Sequence, residues 1–447
     1  MKAKKGRFIG IALFAGLILL TACMTGGSQP SRPVGNGGQC SQGEVSCNVL
    51  SGYAGNTVGS GLTGATIGGG GLRGAPNRVN GDYGVVGGGQ GNMAGEGSTV
   101  AGGAGNMALH FHTTVGGGAD NVADTQEATV CGGFKNTASE RFATVCGGSV
   151  NVASDIDSTV SGGSGNVAGS RFTTVGGGAQ NSAGNVASVV SGGDHNLAQG
   201  AYSSILGGLN NLAAGYIATV GGGAGNEATG SYSVIPGGFA NQAAGDYSFA
   251  AGRDAHVNTN HPGVFLFADS NSFMFPSLIA NEFAVRATGG VRFITGIDDS
   301  GSPLSGVRLS PGSGSWESLS DYNSKAGFAL VDEHQILERL MSIPISSWYY
   351  RSQDPSIRHI GPMAQDFHAA FSIGQDGRYI STVDEEGVAL AAIQELYRIV
   401  RGSGRLAQQG QIDSLERRLA LSNGFAGASF LLAVLAFWRR LPVAGKK

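Results

Sequence analysis

Small apolar residues recur through the first half of the chain at a fixed interval of 15 residues. The template V-x-G-G-x-x-N-x-A begins at Val100, Val115, Val130, Val145, Val160, Val175, Val190, Ile205, Val220 and Ile235. Every copy keeps the paired glycines, the asparagine (Asn106 to Asn241) and the alanine (Ala108 to Ala243). A less regular copy precedes them (Val86, Gly88, Gly89, Asn92, Ala94), and looser ones reach back to about residue 55. A disordered chain has no reason to hold this register. The unit is too short for a helical hairpin and suits one coil of a parallel β-solenoid or β-roll. The apolar residue then enters a short strand and stacks on its equivalent at ~4.8 Å. Glycine permits the tight turn, and the asparagines stack as a hydrogen-bonded ladder. The interior residues are small, so one coil buries little apolar surface, and a thin rod of this kind is expected to associate as a trimer.

After residue 255 the period is lost. "GVFLFAD", "EFAVRATGG" and "GVRFITG" read as short strands of a β-rich neck over 256–319. Helical spacing then begins: "DEHQILERLMSI" carries Ile336, Leu337, Leu340 and Met341, and "EEGVALAAIQELYRIV" is a second helix. "ISSWYY" reads as a strand, and "HIGPMAQDFHAAF" as a strand or turn entering a helix. Ile412, Leu415 and Leu419 give a brief coiled-coil seam over 404–423. The fold class expected is mostly β, a roll over 55–255 followed by an α+β domain over 320–403.

Composition agrees with this division. Glycine supplies 79 of 447 residues, against roughly 7% in an average protein. Charged residues are 13% and the net charge is −3, so no basic field exists to hold nucleic acid.

Both termini carry membrane signals. The first 22 residues, "MKAKKGRFIGIALFAGLILLTA", have the basic start, apolar core and small residues of a secretory signal. "LTAC", ending at Cys23, resembles the bacterial lipobox, which implies an acylated cysteine as the mature N-terminus. Met24, not Asp, follows it, which points to the outer membrane. Residues 23–54 form a Gly/Ser/Pro-rich tether. At the other end, 424–438 is apolar, about 22 Å long as a helix against a ~30 Å hydrocarbon layer, with Trp438 at an interface and a basic tail over 439–447 left in the cytoplasm. One chain does not readily reach an outer membrane while its tail spans the inner one; a cut between the two resolves the conflict.

Cysteine usage fits an oxidising compartment. Cys131 and Cys146 occupy the same position in consecutive coils, close enough for a disulfide. Cys40 and Cys47 could close a small loop in the tether. No His or Cys pair has metal-ligand spacing, "HFH" (His110, His112) reads as an exposed turn, and neither metal nor cofactor is expected.

"SLSDYNSKAGF", residues 318–328, raises a geometric question. A separation of five turns two side chains about 140° apart on a helix and onto opposite faces in a strand. Ser320 and Lys325 can therefore meet only across a turn, and the "DYNS" between them supplies turn chemistry. A serine hydroxyl becomes nucleophilic when a base takes its proton. Lysine is such a base only in its neutral form, which burial favours.

The roll resembles the heads of trimeric autotransporter adhesins, built of left-handed parallel β-roll repeats, over about residues 55–255. The order of motifs from Ser320 onward resembles the endosialidase-type intramolecular chaperones of phage tailspikes, phage fibres and some bacterial surface proteins. "SDYNSK" (Ser320, Asp321, Lys325), "IGPMAQDF" (Gly361, Gln365) and "ALAAIQEL" (Ile393, Gln394, Leu396) carry that resemblance. It implies a self-cleaving serine peptidase that helps a β-rich passenger to trimerise and then cuts itself off, with attack of Ser320 on the carbonyl of Leu319 and Lys325 as base. His359 is a weaker candidate for orienting the site, and Asp321 a turn residue rather than the base.

The expectation is a homotrimeric lipoprotein whose passenger, residues 23–319, is released to the cell surface as an adhesin for a glycan or protein ligand. The severed tail stays at the inner membrane. Two alternatives stand beside it: a prophage-derived fibre with a carbohydrate-binding or carbohydrate-degrading head, and a structural spacer. A degrading head needs paired acids, whereas Asp120, Asp124, Glu127, Asp155, Asp157 and Asp194 are scattered along the roll.

Overall fold

The structure, a computed structural model, describes residues 46–402 together with Ala436. It divides into two units, 1–287 and 288–447. The signal segment, Cys23, the coiled-coil seam, the apolar stretch 424–438 and the basic tail lie outside the described residues. Among the described residues no helix is long and apolar enough to cross a membrane.

The first unit is a parallel β-solenoid of about 16 turns. Each regular coil contributes one two-residue strand to each of two sheets, of 17 and 15 strands. In the first sheet Thr129–Val130 pairs with Thr114–Val115 on one side and Thr144–Val145 on the other. In the second, Val122–Ala123 lies between Met107–Ala108 and Thr137–Ala138. A third row of single parallel bridges runs Ala104, Ala119, Phe134, Ser149 and onward. The repeat maps onto this directly: its valine and its alanine are the inward residues of the two strands, and both columns are fully buried from Val100 and Ala108 onward. The roll's interior is therefore closed within a single chain.

Asparagine is the polar exception that the interior requires. Asn151 accepts the backbone N–H of Asn166 on its Oδ1 at 2.9 Å, and its Nδ2 donates to the carbonyls of Gly147 (2.8 Å) and Gly163 (2.9 Å). The same pattern repeats from Asn92 to Asn226, so turn groups that face inward are satisfied by side chains of the neighbouring coils. The second glycine of each pair is dictated by close approach. Gly103 sits at φ +90°, and a Cβ there would lie 2.1 Å from the carbonyl oxygen of Gly118. Gly102, the first glycine of that pair, is under no such constraint: a Cβ there would meet open space.

Parallel stacking carries on through residues 256–286, a stretch that the lost period assigns to the neck. Phe249–Arg253, Phe265–Ala268 and Phe283–Arg286 pair in sequence, with the rings of Phe249, Phe265 and Phe283 stacked at 4.5 and 4.8 Å. Longer strands and variable loops remove the fixed interval while the ladder persists.

The expected Cys131–Cys146 disulfide is not formed. Both are exposed free thiols. A parallel ladder carries equivalent side chains side by side, whereas a disulfide needs two Cβ–S vectors to converge at a dihedral near 90°. Cys47 is disulfide-bonded, and the expected partner, Cys40, lies outside the described residues.

The second unit opens with an antiparallel sheet of β1 (Val291–Ile297), β2 (Pro303–Leu309) and β3 (Trp316–Ser318). Leu309 pairs with Val291 on one side and Trp316 on the other. Next come α1 (Glu333–Ser342), the two-stranded ribbon of β4 (Ser346–Trp348) and β5 (His359–Gly361), α2 (Ala364–Phe371) and α3 (Thr382–Gly402). Asp332 caps α1 by accepting the Gln335 N–H at 3.1 Å. Ile343, Phe367, Phe371 and Val388 form a small core, with Ile336, Leu340, Ala370 and Ile380 packed against it. Arg339 ties α1 to α2 through the Ala370 carbonyl at 3.0 Å, and Arg398 of α3 pairs with Glu333 of α1.

Candidate active site

β3 ends two residues before Ser320, and its last hydrogen bonds fix the chain at that point. Val307 is registered with Ser318, and the N–H of Leu319 donates to the carbonyl of Gly306 at 2.9 Å. Arg308 Nε holds Glu317 at 2.5 Å across the same strand pair. That hydrogen bond, followed by one from Ser310, holds the Glu317 carboxyl below the ordinary range.

Beyond Ser320 the chain makes one 3-10 turn, Tyr322–Ser324. Asp321 starts it: its side chain accepts the Asn323 N–H at 2.6 Å, and its carbonyl accepts the Ser324 hydroxyl at 2.8 Å. Asp321 is thus committed to the turn. The Lys325 N–H closes the turn on the Tyr322 carbonyl at 3.3 Å. This single turn brings the two side chains together, and Lys325 Nζ donates to Ser320 Oγ at 2.6 Å. Among the described residues no carboxylate lies within ion-pair distance of Lys325. Ser320 and Lys325 are both exposed. Tyr322 and Phe328 stack at 4.4 Å and bracket the turn.

His359 is placed elsewhere in its interactions. Its Nε2 hydrogen bonds with Gln353 Oε1 at 2.9 Å, its ring stacks on Trp348 at 4.8 Å, and Tyr350 meets it edge-on at 5.4 Å. Its described partners are these, and not Ser320 or Lys325. Gly361 ends β5, and Gln365 lies in the first turn of α2, whose Phe367 and Phe371 enter the core. Ile393, Gln394 and Leu396 lie on α3. Among the described residues no group of three or more His, Cys, Asp or Glu side chains could hold a metal.

A hydroxyl and an amine in contact across a turn, just after a strand that ends at Ser318, form the arrangement that the family comparison addresses. Residues 320–372 match the family described as the chaperone of endosialidase. This chaperone family is one of self-cleaving intramolecular chaperones. The chaperone match starts on Ser320, includes α1, the β4–β5 ribbon and α2, and stops before α3. The chain thus joins a chaperone-like segment to a long parallel β-solenoid. No curated protein matches the chain.

Proposed function

We propose that the chain is a surface lipoprotein, acylated at Cys23, that assembles as a homotrimer and then cuts itself once between Leu319 and Ser320. In this reading Lys325 in its neutral form takes the Ser320 hydroxyl proton. Ser320 Oγ attacks the Leu319 carbonyl carbon, the C–N bond breaks, and the proton passes to the departing amine of Ser320. Water then hydrolyses the resulting ester, leaving a carboxylate on Leu319 and a free N-terminus on Ser320. The observation that carries the reading is the Nζ–Oγ contact of 2.6 Å at the first residue of the chaperone match. A Ser–Lys pair is a known variant of the nucleophile–base arrangement.

Assembly supplies what a single chain lacks. The second unit has a small core, yet Trp316, Tyr322, Phe328, Leu330, Val331 and Leu390 are all more than half exposed. Apolar surface of that extent marks an interaction face. Copies of the chain that cover it would exclude water from the Ser320–Lys325 pair, favour the neutral amine and strengthen any donor to the developing oxyanion. Cleavage then reports a completed trimer and frees the passenger, residues 23–319, for an adhesive role at the cell surface. The C-terminal piece, including 424–438, stays at the inner membrane.

Expression of the full chain and of Ser320→Ala, followed by denaturing electrophoresis and N-terminal sequencing of the smaller piece, tests the cut. Two fragments with Ser320 leading the second are expected from the parent, and one full-length band from the variant. Cleavage of the variant at Leu319 would overturn the assignment. Incorporation of labelled fatty acid, lost in Cys23→Ala, tests the anchor.

A further inference from the structure

Cys131 and Cys146 are separated by one coil in sequence and one rung in space. Thr129–Val130 and Thr144–Val145 are in parallel register, and the Cys131 N–H donates to the Val145 carbonyl at 2.9 Å. Each cysteine directly follows an inward valine, so the two thiols leave the same face at equivalent positions. Both are exposed and free. The neighbouring rungs of this column carry Gly116 and Ser161, which bring no soft donor.

This donor set excludes the common sites. Structural zinc requires four ligands and calcium six to eight oxygens, and among the described residues no cluster of three ligating side chains exists. Two thiolates alone suit a soft cation that prefers linear two-coordination. With metal–sulfur bonds of about 2.3 Å, as in zinc thiolates, a linear S–M–S unit spans about 4.6 Å. The rungs of a parallel ladder repeat at ~4.8 Å, so two side chains leaving neighbouring rungs start from a backbone spacing close to that span. Thiolate ligands select such ions, copper(I) foremost.

We propose that the Cys131–Cys146 pair is a surface site for one soft, two-coordinate cation of the copper(I) or silver(I) class. Binding replaces two thiol protons by one metal ion and changes no oxidation state. The site is independent of the cleavage reading, because it lies wholly within the solenoid.

The test is an anaerobic titration of the full chain with copper(I) against a chromophoric copper(I) chelator. The parent is expected to withhold one more equivalent than either Cys131→Ser or Cys146→Ser, with the two single variants equal to the double variant. The remaining cysteines are the same in all four proteins and cancel in the comparison. A linear site loses at least 100-fold in affinity when either thiol is removed, whereas two independent thiols lose their binding in two equal steps. Stepwise loss, unchanged uptake in either variant, or native protein with these two residues already joined as a disulfide would overturn the proposal. Circular dichroism of the variants, expected to overlay the parent, confirms that the solenoid is intact.

Discussion

Lys325 Nζ lies 2.6 Å from Ser320 Oγ, and both residues face solvent in the single chain. A local turn thus positions the proposed base and nucleophile, and in that reading association supplies the dry surroundings that a neutral amine requires. Lys325→Met and Lys325→Arg are both expected to slow self-cleavage by about 10²–10⁴-fold, the usual contribution of a general base. The arginine variant is the sharper one, because a guanidinium keeps its charge yet does not act as a base. Time courses on denaturing gels read the effect, and a fully active Lys325→Arg protein would exclude the proposed base.

The stack of Tyr322 on Phe328 braces the turn without touching the chemistry. Tyr322→Ala is expected to slow cleavage about tenfold, on the order of the 0.5–1.5 kcal/mol that an aromatic pair contributes. The pH profile of the rate should keep its midpoint. Tyr322→Phe, which preserves the stack, should cleave at the parent rate.

The paired glycines of the repeat are not equivalent. Gly103→Ala places a Cβ against the Gly118 carbonyl and forces alanine to φ +90°, where the left-handed backbone alone costs about 1–2 kcal/mol. A loss of roughly 2 kcal/mol or more is expected, since the clash falls on backbone and adds to the conformational cost. Gly102→Ala, facing open space, should stay within about 0.5 kcal/mol of the parent. Hydrogen exchange of the coils on either side is the suitable measurement, because solenoids unfold by neighbouring units.

Asn151 carries three hydrogen bonds in the interior. Asn151→Ala removes all three and strands the buried Asn166 N–H, so about 3 kcal/mol or more of local stability is lost. Asn151→Asp keeps the acceptor for that N–H but loses both donor bonds and buries a charge. Burial raises the folded pKa of such a carboxyl. Its protonated form is then favoured, so this variant should be least impaired in acid and worsen as pH rises. A pH series of thermal melts distinguishes the two variants.

Arg308 and Glu317 brace the strand pair that leads to Leu319. The folded pKa of Glu317 is depressed, first by its hydrogen bond from Arg308. The stabilisation is therefore present above the ordinary carboxylate range and lost as pH falls through the depressed value. Arg308 is exposed and Glu317 about half-exposed, so the effect is small. Protease susceptibility of the β2–β3 strand pair in the uncut Ser320→Ala protein should rise below about pH 4. Glu317→Gln should show the higher susceptibility at neutral pH and converge with the parent once Glu317 is protonated.

The sequence by itself determined the solenoid and the turn. A 15-residue interval with inward valine and alanine, an asparagine and a forced glycine leaves a parallel stacked coil as the structure that satisfies all four, because each position repeats the same neighbours one rung above and below. Ser320 and Lys325, five residues apart, could meet only across a turn, and local hydrogen bonds from Asp321 make one. Tertiary structure alone decided the rest. It carried the ladder through irregular coils to Arg286, where pairing persists without a fixed interval. It gave His359 to Trp348, Tyr350 and Gln353, since side-chain partners across a ribbon depend on register. It also set Cys131 and Cys146 side by side as free thiols, because proximity follows from the period, whereas bond formation depends on the direction of the side chains.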